Sequence, residues 1–214
     1  YFNQMNYLAH IYLYEGNENI QLGNFFADAV KGNSYLSYPG EIQKGILLHR
    51  KIDTFTDFHP VVKKSKARLK SKFGLYKGII IDIFYDHFLA RNWQLFSDVS
   101  LGDFADSFYT ILLKNMSILP EKTQYVVPFL VKQNWLKSYA SLEGIEKVLV
   151  GMNKRTNNHS GMDLAMGDLV DHFDELENQI LSEISLAKHI SNTTTYTDIP
   201  DNYFSDLSEK VMSE

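Results

Sequence analysis

Apolar residues recur at helical spacing through nearly the whole chain, and nowhere does the pattern alternate between strand and helix. That leaves an all-α fold as the simplest architecture. Leu8, Ile11 and Tyr12 mark a helix over 6–14; Asn17 and Asn19 punctuate the chain before a second over 23–30, closed by Gly32 and Asn33. Pro39 opens a third over 40–55, with Ile42, Ile46, Ile52 and Leu47 or Leu48 as core positions. Pro60 suits the first turn of a basic helix that ends before Gly74. A fourth strong pattern over 75–93 carries Ile79, Ile80, Ile83, Phe84 and Phe88. Its β-branched run at 78–81 mimics a strand, but the length and the four-residue spacing of its acids favour helix. Further helices are expected over 101–114, 122–133, 135–139, 142–153 and 167–187. The reading is a single compact helical domain over 5–190, followed by a polar, loosely held tail over 191–214. Tyr1–Gln4 are set aside, with Met5 as the expected native start.

Composition narrows the chemistry. With no cysteine, disulfides, thiolate metal sites and cysteine nucleophiles are excluded, so any metal must bind through nitrogen and oxygen. Neither a phosphate-binding glycine loop nor a Gly-x-Ser-x-Gly elbow is present. A net charge of −5 argues against nucleic acid as a partner, and no apolar stretch approaches a membrane span. With no signal peptide visible, the cytoplasm is the expected compartment. The 14 Phe and 13 Tyr predict a core of flat, bulky groups, with several tyrosines reaching a wet cavity. Lys63, Lys64, Lys66, Arg68, Lys70 and Lys72 form a basic run with no acid among them. It is either a solvated helix face or a docking patch for an acidic partner.

Two acid-and-imidazole clusters carry the chemical signal. His49 and Asp53 stand four residues apart, as do Asp82 and Asp86, so each pair projects from one side of its helix. Apolar Leu47, Leu48 and Ile52 flank the first pair, and an inward-facing carboxylate and imidazole there need compensation that a cation supplies. Together they suit Mn²⁺, Fe²⁺ or Zn²⁺, and such an ion can make water nucleophilic near neutral pH. Arg50 could clamp an anion with its planar fork, or pair with Asp53, Asp57 or Glu41. Asp86 and His87 point about 100° apart on a helix, so one could ligate while the other carries a proton. Asp82 could orient either. Asp28 and His10 are an acid and an imidazole inside apolar stretches, each open to a bland structural role when taken singly. Asp171, His172 and Glu175 read as a solvated face. A metal-dependent hydrolase follows.

Six blocks in order sharpen that reading: Met5-Asn6-Tyr7-Leu8-Ala9-His10, Gly23-Asn24-Phe25-Phe26-Ala27-Asp28, Gly45 through Asp53, Asp86 through Trp93, Val148 through Met152, and Asp168 through Phe173. In this order the chain resembles the acyl carrier protein phosphodiesterases, a divergent branch of the HD-type phosphohydrolases. The resemblance implies an HD-domain-like helical fold. It also implies hydrolysis of the phosphodiester joining 4′-phosphopantetheine to a serine of holo-acyl carrier protein, with Mn²⁺ as the expected metal and Mg²⁺ or Fe²⁺ as alternatives. In that scheme His49, Asp53, Asp86 or His87, and Asp28 or His10 hold the metal. Arg50 neutralises charge at phosphorus, and His87, oriented by Asp82, is first choice as proton donor. Because carrier proteins of this type are acidic, Lys63, Lys64, Lys66, Arg68 and Lys70 become the docking surface. The order Asp86-His87 departs from the contiguous His-Asp of ordinary HD enzymes. The competing readings are a hydrolase of nucleotides or other small phosphodiesters and a non-catalytic binder of metal or an acidic partner.

Overall fold

The computed structural model describes residues 7–14 and 16–193. Met5, the four residues before it and the tail from 194 onward lie outside them. Eleven α-helices follow one another, with short 3₁₀ turns between and no strand among the described residues. They are α1 (Tyr7–Tyr12), α2 (Glu18–Phe26), α3 (Gly40–Phe58), α4 (Pro60–Arg68), α5 (Lys77–Arg91) and α6 (Leu101–Lys114). Then come α7 (Glu121–Lys132), α8 (Trp135–Ser138), α9 (Leu142–Arg155), α10 (Ala165–Asp171) and α11 (Phe173–Thr193). Among the described residues no helix is long and apolar enough to cross a membrane.

Local signals place most boundaries. The Asn17 side chain accepts hydrogen bonds from the amides of Asn19 and Ile20 at the start of α2, and Ser100 and Ser141 cap α6 and α9 in the same way. Pro39 precedes α3 and Pro60 opens α4. The last expected helix is instead broken at His172 into α10 and α11; nothing in the structure explains the break.

The apolar run of α5 is helical, as its length demanded, and it is the central rod. From Ile80 to Ala90 only Asp82 is not buried. A helix apolar all round must be covered on every side, and α1, α4, α9 and α11 do so. The aromatic excess fills this core. Tyr12, Tyr139, Phe26, Phe73, Phe84, Phe88 and Phe108 are almost wholly enclosed. Tyr12, Tyr85, Tyr109 and Tyr139 therefore pack inside and do not line a wet cavity.

The most extensive helix contact joins α2 to α3. A Cβ added at Gly23 would collide with the Ile42 carbonyl, and one at Gly45 would collide with the Ile20 carbonyl and come within 2.9 Å of the Gly23 Cα. With hydrogen in place of side chains, the two backbones meet. Gly45→Ala should therefore destabilise the protein by about 3 kcal/mol, because backbone cannot yield as a side chain can. Gly151→Ala in α9, where an added Cβ meets nothing within 4 Å, should be neutral or stabilising by roughly 0.5–1 kcal/mol. Paired thermal melts check both.

Candidate metal centre

The α2–α3 crossing carries its consequences one turn onward. His49 and Asp53 stand one and two turns past Gly45; Asn24 sits beside Gly23 in α2, and Asp28 lies on the 3₁₀ turn, Ala27–Ala29, that follows it. His10, at the end of α1, completes the group. The His10 and His49 rings stack at 3.9 Å, inclined by 18°. Asp53 reaches both: one carboxylate oxygen lies 3.3 Å from His10 Nε2, the other 3.3 Å from His49 Nε2. Asp28 stands 3.4 Å from His49 Nε2 on the other side.

Asn24 holds both imidazoles. His10 Nδ1–H donates to Asn24 Oδ1 (3.0 Å), His49 Nδ1–H donates to the Asn24 carbonyl (2.8 Å), and the Asn24 side-chain amide donates to the His10 carbonyl (2.6 Å). With Nδ1 engaged, each Nε2 is turned toward the carboxylates. This is the arrangement by which outer hydrogen bonds fix a metal-ligating tautomer. Asn24 is fully buried, yet it is neither titratable nor a favoured ligand, so spacing alone does not single it out. The available signal is an amide inside an apolar helix, four residues before Asp28.

Charge shows what the group lacks. Burial lowers the His49 pKa, but hydrogen bonds to Asp28 and Asp53 outweigh it and raise the value to about 10. Burial and the neighbouring His49 charge together lower His10. Asp53, which burial would raise, is held below the ordinary carboxylate range by the two imidazoles. Both Nε2 atoms are buried and lie 3.3–3.4 Å from carboxylate oxygens, without a well-formed hydrogen bond. Nitrogen and carboxylate oxygen gathered this closely would be balanced by a cation. Donor atoms of His10, His49 and Asp53 lie within 4.8 Å of one another, and two nitrogens with carboxylate oxygen fit a first-row divalent ion. The imidazoles are sealed at 2% and 4% exposure, whereas Asp28 and Asp53 keep 23% and 28%. The centre therefore opens to solvent on its carboxylate side.

Four of the five expected ligands, His10, His49, Asp53 and Asp28, come together. Asp86 does not join them: its two oxygens accept the Leu8 and Ala9 amides at 3.1 and 2.8 Å. It caps the first turn of α1 from another helix. Burial raises its pKa well above normal against the pull of those amides. Asp86 thus fixes the helix that delivers His10. His87 is enclosed in the core, where Nδ1–H donates to the Tyr139 carbonyl (2.7 Å) and the ring meets Phe88 and Phe173. Burial lowers its pKa, and Arg91 and Glu177, not the acids of the centre, are the charges that bear on it. The geometry does not place it as a proton donor at the centre. Asp82 lies a turn before Asp86, where its charge acts on Asp86 and Tyr85. Arg50 extends one guanidinium nitrogen to the Val30 and Gly32 carbonyls, at 3.1 and 2.9 Å, and lies over the Tyr35 ring. It staples the segment that follows Asp28, where an anion clamp was expected.

A ligating imidazole must give up its proton. Metal binding should therefore release about one proton from His49, and apparent affinity should rise roughly tenfold per pH unit between neutrality and pH 10. The linked stability runs the other way. In metal-free protein the raised His49 pKa stabilises the fold fully below 6.5 and ceases to do so as pH climbs through about 10. Calorimetric Mn²⁺ titrations in buffers of different ionisation heat count the protons; a pH-independent affinity would rule out displacement. Asn24→Ala should weaken the metal by roughly 10–100-fold.

Comparison with known proteins adds a separate line. A family model described as acyl carrier protein phosphodiesterase matches residues 5–185. Among curated relatives, the acyl carrier protein phosphodiesterase of Yersinia enterocolitica is 35% identical over 174 residues, covering 81% of this chain and 90% of the relative. That of Yersinia pestis is 34% identical, covering 83% and 93%, and that of Pectobacterium atrosepticum is 35% identical, covering 81% and 90%. No solved structure matches the chain, so the HD-like description rests on the sequence resemblance alone. The chain belongs to the acyl carrier protein phosphodiesterase family.

Proposed function

We propose that the chain hydrolyses the phosphodiester of holo-acyl carrier protein in the cytoplasm, releasing 4′-phosphopantetheine and leaving apo-carrier protein. The observation that carries this reading is the half-open centre, two buried Nε2 atoms and two carboxylates awaiting a cation. His10, His49 and Asp53 would hold a divalent ion, Mn²⁺ first, with Asp28 beside them. When bound, the ion supplies Lewis acidity, activating water near neutral pH and offsetting charge at phosphorus.

The protein's own groups do the rest. Asn24 locks both rings, so the geometry is set before substrate arrives. His49 sheds its proton on loading, and Asp53 spans the two imidazoles. Asp28 stands at the opening, kept there by the Arg50 staple. With His87 and Asp82 seated elsewhere, the departing serine oxygen takes its proton from solvent entering past Asp28 and Asp53.

Part of the basic run is already engaged within the protein. Lys66 pairs with Asp57 (2.8 Å), Arg68 donates to Gln179 (3.4 Å), and Lys70 pairs with the buried Asp168 (2.8 Å). Lys63, Lys64, Lys70 and Lys72 are exposed, with Lys72 above the Phe73 ring. They would meet the acidic carrier first.

Mass spectrometry of holo-carrier protein incubated with the chain and Mn²⁺ should show loss of the prosthetic arm. Intact carrier alongside turnover of a nucleotide would move the substrate to the small phosphodiesters. His49→Ala and Asp53→Ala should lose orders of magnitude in turnover while keeping the helical circular dichroism. Replacing Lys63 and Lys64 together by Glu should raise KM several-fold and flatten its salt dependence. Lys66→Ala should leave KM near wild type. Equal effects would show that the run docks as a whole.

A further inference from the structure

Arg50 lies on α3 between His49 and Asp53, and one nitrogen of its guanidinium binds the carbonyls of Val30 and Gly32, the two residues that flank Lys31. The Lys31 peptide is thereby pinned to the stretch of α3 that carries the metal centre. From the other direction, Lys31 follows Asp28 by three residues, and Asp28 stands 3.4 Å from His49 Nε2. Three residues span at most about 10 Å of backbone, and the four-carbon stem of lysine covers much of that distance. The segment is also held on its far side. The Ser34 amide donates to the Lys31 carbonyl at 3.1 Å, opening the 3₁₀ turn Gly32–Ser37, and the Tyr35 ring of that turn lies against the Arg50 guanidinium.

Lys31 is exposed, and among the described residues its side chain has no ion pair or hydrogen bond, either to Asp28 or to another group. The next three residues, Gly32, Asn33 and Ser34, are exposed and uncharged, so none of them engages the ammonium as an acid would. Charge decides what it meets. With a divalent ion bound and both imidazoles neutral, Asp28 and Asp53 cancel the two charges of the ion, which leaves the opening close to neutral. A phosphate group is anionic and gains from a further cation on the solvent side. The Arg50 guanidinium adds charge there, but it is engaged with two carbonyls and with the Tyr35 ring. Lysine, a compact charge on a flexible stem, can close on the oxygen of an arriving phosphate.

We infer that Lys31 receives the phosphate of the substrate at the mouth of the metal centre, and that Arg50 positions it there. The inference rests on the phosphodiester reading above and adds to it the group that binds the anion. The clamp expected at Arg50 is thus transferred to the loop that Arg50 holds.

Calorimetric titration of the Mn²⁺-loaded protein with inorganic phosphate tests the assignment without turnover. Lys31→Met should weaken phosphate binding about tenfold, while Mn²⁺ affinity and the thermal midpoint stay near wild type. KM for holo-carrier should rise by a similar factor. Lys31→Arg, which keeps the charge, should restore most of the affinity. Arg50→Met frees the Val30 and Gly32 carbonyls and should weaken phosphate binding when Lys31 is present, yet add little to Lys31→Met. Three results overturn the inference. The first is a folded Lys31→Met variant with wild-type phosphate affinity. The second is Mn²⁺ affinity that falls in step with phosphate affinity, which would make Lys31 a support for Asp28. The third is full additivity of the Lys31→Met and Arg50→Met losses, which would make Arg50 a phosphate ligand in its own right. A chain that holds phosphate through Lys31 but leaves holo-carrier intact would uphold the inference and overturn the carrier-protein reading alone.

Discussion

Two glycines in contact govern the rest of this molecule. Because Gly23 and Gly45 present only hydrogen at the α2–α3 crossing, the helices approach to backbone distance. At that separation the Asn24 carbonyl can accept a hydrogen bond from His49, and Asp28 can stand beside the same ring. One added methyl would part the helices and carry Asn24 away from the imidazoles. The chemistry is thus set by side chains that are absent a turn earlier.

Buried polar groups in this fold are answered in two different ways. Asp86 is enclosed and finds its partners in the amides of Leu8 and Ala9, so its demand is met within the protein. His10 and His49 have their Nδ1 atoms satisfied in the same manner, while their Nε2 atoms face carboxylates with too few protons to share. The first arrangement is complete; the second is a group that could hold a metal ion. They are connected, since Asp86 secures the short helix that ends in His10.

Around those residues the surface combines an opening with a local concentration of positive charge. Solvent reaches the centre past Asp28 and Asp53. Exposed lysines stand at the start of α4 and beyond its end. The net charge of the chain is negative, so under the proposed function any steering of an acidic partner would come from this local concentration and be sensitive to salt.

The sequence by itself determined the helices and the first pair of site residues. Its apolar periodicity marked α5 despite three consecutive isoleucines, Pro39 and Pro60 marked the starts of α3 and α4, and the four-residue spacing of His49 and Asp53 put both on one side of α3. These are local properties, set by backbone geometry within a turn or two. Only the tertiary structure decided that His10 and Asp28 belong with them, because three separate helices must meet for that to happen. It also removed Asp86 and Arg50 from the expected site. A carboxylate or guanidinium among apolar neighbours signals that it needs partners, and spacing cannot say whether those are a cation, an anion or carbonyls and amides far along the chain. Asn24 is the reverse case: its role exists only in the packed protein, where one amide group stands between two rings.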